Sequence, residues 1–169
     1  ASAYAPNHVI KKCAGRDMQL VFDLAGQLDD LKHRGIDRRF IDDLLPEIEC
    51  LIGNIESIRS YLNLNSTPEA MIRELLSRGL SKGAITMGES GAIIFDQAST
   101  HHIPAFEVDI VDTTGAGDAF TAGIIQKWVI EDSDPKSAGR FAAAFAALNC
   151  TVRGAHSNPP STDQIQELL

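Results

Sequence analysis

At 169 residues and 44% hydrophobic, the chain has the material for one domain with a substantial buried core. Its formal net charge is −8 and no cluster of Lys or Arg stands out, which disfavours a nucleic-acid or anionic-membrane partner. No apolar run approaches the roughly 18 residues of a spanning helix, and Ala1 to Ile10 lack the basic start and apolar core of a signal peptide.

Asn7 to Ala14 reads as an amphipathic helix ending near Gly15. Cys13, Cys50 and Cys150 are scattered, with no Cys-x-x-Cys pairing, and read as reduced thiols of a cytoplasmic protein. Gln19 to Leu24 reads as a buried strand, with Asp23 at the C-terminal end where open α/β sheets place ligand residues. Asp37 to Leu45 reads as a helix burying Phe40, Ile41, Leu44 and Leu45, its acidic residues forming a solvated face. Glu49 to Asn54 is the next strand and its exit, where Asn54 suits a turn or a helix cap.

Ser66-Thr67-Pro68-Glu69 starts a helix in one of two ways. Ser66 and Glu69 make a capping box, or Thr67 caps with Pro68 at the first helical position. Met71, Ile72, Leu75 and Leu76 form its buried face, and Arg78-Gly79 ends it. From Gly83 to Phe95, two apolar runs flank the turn Gly88-Glu89-Ser90-Gly91, the pattern of a β-hairpin. Ser99 to Pro104 is a further short strand. Its neighbours His101 and His102 point to opposite faces, which argues against a chelate.

Val108, Ile110 and Val111 read as the end of another apolar strand. Beyond them Phe120, Ile124 and Trp128 recur at helical spacing, with Ile125 and Val129 beside them. The linking loop, Gly115-Ala116-Gly117, lets backbone approach a ligand closely. A small-residue turn feeding a helix N-terminus gathers unpaired N–H groups at the positive end of the dipole, an anion site that suits phosphate. Asp118, in the first helical turn, is either an ordinary N-terminal carboxylate or, beside a bound phosphate, a base for an attacking hydroxyl. Neither the P-loop nor the dinucleotide fingerprint fits: no Lys follows Gly117, and the third glycine position is Phe120. Asp134-Pro135 then starts a helix with Phe141, Phe145 and Leu148 as one stripe, its alanines allowing close approach of a neighbour. Ser161 and Gln164 form a capping box for a last helix through Leu168.

The nine residues Asp112-Thr113-Thr114-Gly115-Ala116-Gly117-Asp118-Ala119-Phe120 resemble the C-terminal signature of the ribokinase-like (PfkB) carbohydrate kinase family. The resemblance implies that Gly115, Ala116 and Gly117 form the anion hole for a γ-phosphate and that Asp118 is the catalytic base. Thr86, Gly88 and Gly91 match a family segment that lies along the nucleotide, and Thr114 and Asn54 are further candidates for binding it. Asn54 matches the start of an Asn-x-x-Glu motif, but Ser57 stands where the Glu is expected, so Glu56 is the candidate for a water-mediated magnesium contact. Ala143 stands where the family often has Asn near the adenine. Thr151 to Ala155 resembles a turn that, with Asp112, helps bind a monovalent cation such as K+.

Alternating strands and helices, with βα motifs at strand C-termini, indicate a three-layer α/β/α fold with a largely parallel sheet, which by this resemblance is ribokinase-like. Residues 1–169 are then the C-terminal nucleotide-binding and catalytic portion, the N-terminal substrate and lid half lying outside the chain. The implied function is an ATP- and Mg2+-dependent kinase acting on a hydroxyl of a sugar, or alternatively a nucleoside. The other reading is a non-catalytic nucleotide-binding or interaction module. An exposed sheet edge makes a homodimer a further expectation.

Overall fold

The computed structural model describes residues 18–155 and 159–169, so the expected helix over Asn7 to Ala14 and Cys13 lie outside the described residues. The chain divides into two compact units, Ala1–Ser81 and Lys82–Leu169.

In the first unit, β1 (Val21–Leu24) and β2 (Cys50–Asn54) pair in parallel, Val21 opposite Cys50 and Leu24 opposite Gly53. β2 buries its first four residues, whereas β1 is half-buried and only Leu24 is fully inside. The expectation that β1 is a buried strand is corrected accordingly. Among the described residues it has a ladder partner on one side only. A short helix, α1 (Leu28–Lys32), occupies a stretch with no periodic signal and is pinned where Leu28 N–H donates to Ser60 Oγ at 2.9 Å. α2 (Arg38–Leu44) is capped by Asp37, whose Oδ1 accepts from Phe40 N–H at 2.8 Å. It buries Ile41 and Leu44, and Leu45 follows inside. Phe40 is only half-buried.

The acidic residues of α2 are more than a solvated face. The Asp42 carboxylate accepts from Tyr61 Oη at 2.5 Å and from Arg78 Nη1 at 2.7 Å. Glu74 also takes Arg78 at 2.7 Å, and the guanidinium lies 5.5 Å from the Tyr61 ring centre. Burial and the Asp42 hydrogen bond push the Tyr61 hydroxyl well above its ordinary range, so it stays a donor. α3 (Ile55–Leu62) leaves β2 directly, and α4 (Pro68–Ser77) takes the second of its two possible starts. Thr67 accepts from Ala70 N–H, and Pro68 fills the first position. Met71, Ile72 and Leu75 are buried as expected, and Gly79, at φ +96°, ends the helix.

In the second unit, β3 (Lys82–Thr86), β4 (Ala92–Asp96) and β5 (Thr100–Ile103) form an antiparallel meander. Thr86 lies opposite Ala92, and Ala92 opposite Ile103. The strands are therefore of mixed direction rather than largely parallel. The connections are the reason: five residues separate β3 from β4 and three separate β4 from β5, too few for the crossover that a parallel pair requires. The expected hairpin is there, closed by Met87 N–H to the Gly91 carbonyl at 2.8 Å.

No strand forms over Val108 to Val111, and Ile110 and Val111 are 68% and 60% exposed. At the end of this segment the backbone is spent elsewhere, since the N–H groups of Val111 and the following Asp112 both donate to the Cys150 carbonyl, at 2.8 and 3.1 Å. α5 (Ala116–Ile124) follows, then a wider π-helical turn (Ile125–Ile130), and Phe120, Ile124, Trp128 and Val129 are all buried. α6 (Pro135–Asn149) is capped by Asp134, and α7 (Thr162–Leu168) by the Ser161–Gln164 capping box. The small residues of α6 bring two helices together: a Cβ at Gly123 of α5 would lie 2.7 Å from Ala142 Cα of α6.

Candidate active site: the first turn of α5

The loop before α5 is held by Asp112, Asn149, Cys150, Gly154 and Ala155. Asp112 Oδ1 accepts from Thr114 N–H at 2.9 Å, and its Oδ2 accepts from Gly154 N–H at 2.9 Å. The Cys150 carbonyl takes the two N–H groups named above. Asn149 Nδ2 donates to the Thr114 carbonyl at 3.1 Å, and Ala155 packs against Gly115, where an added Cβ would lie 2.6 Å from Ala155 Cβ. Gly115 is the helix N-cap at φ +81°, a left-handed conformation that only glycine adopts cheaply. The sequence therefore needs glycine here for two reasons, backbone angle and contact with Ala155.

Helix geometry leaves first-turn N–H groups without intrahelical partners. Here Ala116 N–H reaches the Thr113 carbonyl at 3.2 Å and Ala119 N–H reaches Gly115 at 2.9 Å. No carbonyl among the described residues accepts from Gly117 or Asp118 N–H. Both residues are exposed, and an added Cβ at Gly117 would meet nothing within 4 Å. The turn is thus two free donors, open space over Gly117, a helix dipole and the Asp118 carboxylate, all within one turn.

Asp112, half-exposed beside this turn, has its carboxyl held at about 2 by the Thr114 side chain first, then by the Thr114 and Gly154 N–H groups. Its role here is to fix the loop. A carboxylate offers about four lone-pair sites, so these three hydrogen bonds leave room for roughly one contact to a cation. The Cys150 thiol is pushed up, first by burial and then by the Asp112 charge, which makes it a packing residue rather than a nucleophile.

The other expected site residues lie on two structures. Thr86, Gly88 and Gly91 sit on the β3–β4 hairpin of the same unit. Gly88 (φ +60°) faces open space, whereas a Cβ on Gly91 (φ +85°) would fall 2.0 Å from the Ile103 carbonyl oxygen. His102 Nε2, 3.0 Å from the Ser90 carbonyl, ties the same turn to β5. Asn54 and Glu56 belong to the first unit. Asn54 Oδ1 caps α3 by accepting from Ser57 N–H at 2.8 Å, and Glu56, 61% exposed, pairs with Arg59 at 2.5 Å. No cluster of three or more His, Cys, Asp or Glu among the described residues could hold a metal. A magnesium ion that keeps most of its water and is carried by phosphate asks for no such cluster.

Sequence reasoning missed Asn149, 3% exposed and the polar group that reaches the Thr114 carbonyl. It continues the four-residue spacing of Phe141 and Phe145, so a polar side chain on an apolar stripe was the available signal.

Known proteins bear on this geometry. A deoxyribokinase from Salmonella typhi is 40% identical over 100 residues, covering 59% of this chain and 32% of that protein. The ribokinase structure from Thermotoga maritima matches with TM-score 0.74 and 25% identity, over 93% of this chain and 51% of that one. An E. coli protein solved with ATP and Mg2+ matches with TM-score 0.85 at 23% identity, over 98% of this chain and 53% of that one. The fold is thus ribokinase-like, and the chain spans about a third of the matched curated relative and about half of the matched structures. The profile of the pfkB family carbohydrate kinases runs across residues 8–162, through both units and the loop just described, and the chain belongs to that family.

Proposed function

We propose that this chain carries the phosphate-binding and catalytic side of an ATP-dependent kinase. The acceptor is a hydroxyl of a sugar or sugar-like molecule, with a nucleoside as the alternative class. The observation that carries the reading is the first turn of α5, where the uncovered Gly117 and Asp118 N–H groups share a turn with an exposed carboxylate. In this reading Gly115, Ala116 and Gly117 form the anion hole for the γ-phosphoryl group. The Asp118 carboxylate accepts the proton of the acceptor hydroxyl, whose oxygen bonds to the γ-phosphorus as the bond to the β-γ bridging oxygen breaks and ADP leaves. Most of the catalysis is positioning and charge stabilisation. Magnesium would neutralise phosphate charge, with Glu56 as a candidate contact through water once released from Arg59. Thr86, Gly88, Gly91 and Thr114 would line the nucleotide, Asn54 would lie on the magnesium side, and Asp112 would offer its remaining lone pair to a cation such as K+.

The test is calorimetric titration of Mg-ATP into the chain and into Gly117→Leu. Gly117 has an ordinary φ and no atom within 4 Å of an added Cβ, so the leucine fills the proposed phosphate space without disturbing the fold. Saturable binding that disappears in the variant supports the reading, and equal binding in both refutes it. A second reading, a nucleotide-binding module without turnover, is favoured by the present engagement of Asn54 and Glu56 with other partners. Turnover by the intact enzyme separates the two.

A further inference from the structure

The Thr114 carbonyl stands four residues before Asp118, the position from which a continuing α-helix would accept the Asp118 N–H. That bond is not made. The carbonyl instead takes the amide of Asn149, a side chain from the last residue of α6 that is 3% exposed and crosses 35 positions of sequence to reach it. Three neighbouring contacts act in the same direction. The Cys150 carbonyl holds Val111 and Asp112, Gly154 N–H holds Asp112, and Ala155 occupies the space beside Gly115. The C-terminal end of α6 and the turn after it thus grip the loop.

We propose that Asn149 is a positioning residue for the anion turn. Its amide draws the Thr114 carbonyl out of the helical ladder, so that the Gly117 and Asp118 N–H groups remain available to a phosphate. The inference deepens the phosphate role proposed above and rests on it. Its structural half, that Asn149 keeps the Asp118 N–H from being spent inside the helix, can be tested without any ligand.

The experiment compares the chain with Asn149→Asp, which keeps the shape and replaces the donor with a second acceptor, and with Asn149→Ala. Ala144→Gly is the control, since it loosens the same helix at a buried position without touching Asn149. Amide exchange is followed by NMR at Gly117 and Asp118, with the β3 and β4 amides as internal reference, and Mg-ATP affinity is measured alongside. In the unaltered chain the Asp118 amide exchanges as an unbonded group. In both Asn149 variants the freed Thr114 carbonyl captures it, and exchange slows roughly two- to tenfold, the range expected for one ordinary hydrogen bond. Mg-ATP affinity falls about tenfold, and Ala144→Gly does neither. An Asp118 amide already protected in the unaltered chain, or one whose exchange is unchanged or faster in the Asn149 variants, overturns the proposal. Slowed exchange in a chain that binds no Mg-ATP upholds the positioning and removes the phosphate role instead.

Discussion

Two glycines of one hairpin make a matched pair for testing what fixes the candidate nucleotide wall. Gly88 and Gly91 both have positive φ, +60° and +85°, and Gly91, at ψ −136°, lies outside the left-handed helical basin, so an alanine at either incurs a backbone penalty of at least about 1–2 kcal/mol. They differ in what a Cβ would meet. At Gly88 there is nothing within 4 Å. At Gly91 the nearest atoms are backbone: the Ile103 carbonyl oxygen at 2.0 Å, Ala105 N at 2.8 Å and Pro104 C at 2.9 Å. Backbone of a paired strand cannot swing aside as a side-chain tip can, so β5 must move and the β4–β5 ladder opens at Ala92–Ile103. Overpacking of this kind adds about 1–3 kcal/mol, which puts Gly91→Ala at about 2–5 kcal/mol against about 1–2 for Gly88→Ala. The single tryptophan, Trp128, is 4% exposed in the same unit and reports its unfolding by fluorescence. With a urea slope of roughly 2 kcal/mol per M, the Gly91→Ala midpoint should lie about 0.5–1.5 M below that of Gly88→Ala. Equal midpoints would refute the argument that the Ile103–Ala105 backbone, and not the φ angle alone, demands glycine at 91.

Further outcomes follow from the turn at α5. Asp118→Asn in the intact enzyme should lower kcat by on the order of 10²–10⁴ while leaving the urea midpoint near that of the parent, because Asp118 is exposed; a retained rate rejects its role as base. Asp112 is depressed in the fold, to about 2 from an ordinary 3.8, so it binds its proton less readily folded than unfolded. Its contribution to stability is complete above pH 4 and is lost as the pH falls from about 4 to about 2. Asp112→Asn should remove that segment of the stability–pH profile, and an unchanged acid limb would show that the Thr114 and Gly154 contacts carry no weight.

What could be read from the residues and what could not divides along sequence distance. Local signals held up: Asn54, Thr67, Asp134 and Ser161 are caps in the structure, and Gly88 to Gly91 is the hairpin turn. The nine-residue run from Asp112 carried the family by itself. The errors lie where a segment's backbone bonds go to something far away. Val108 to Val111 has strand composition, but its last N–H, at Val111, and that of the following Asp112 meet Cys150, about 40 positions downstream, and no local pattern encodes that. The sheet was expected to be largely parallel because strands and helices alternate along the chain, yet the short links after β3 and β4 already forbade parallel pairs there. Asp42 looked like one more acid on a polar helix face because its partners, Tyr61 and Arg78, belong to other helices or their ends.

The same division explains how the site is built. The residues that would touch a phosphate, Gly115 to Asp118, are contiguous, because a helix N-terminus concentrates its free donors in one turn. A motif can therefore mark them. The residues that keep those donors free are not contiguous with them and have no reason to be. Asn149 and Cys150 act through backbone groups of the loop, Gly154 through the Asp112 carboxylate and Ala155 by packing on Gly115, so almost any arrangement that satisfies these groups would serve. Their chemistry constrains the fold more than it constrains the local sequence. An alanine-rich helix ending in a buried asparagine is one physical solution: small residues let α6 approach α5 at Gly123, and that approach brings a single amide to the loop at its C-terminal end. The contact carries weight because its donor, Asn149, is buried. Removing the amide leaves the exposed Thr114 carbonyl either to water or recaptured by the Asp118 N–H, and the second choice consumes a donor that the proposed reaction needs.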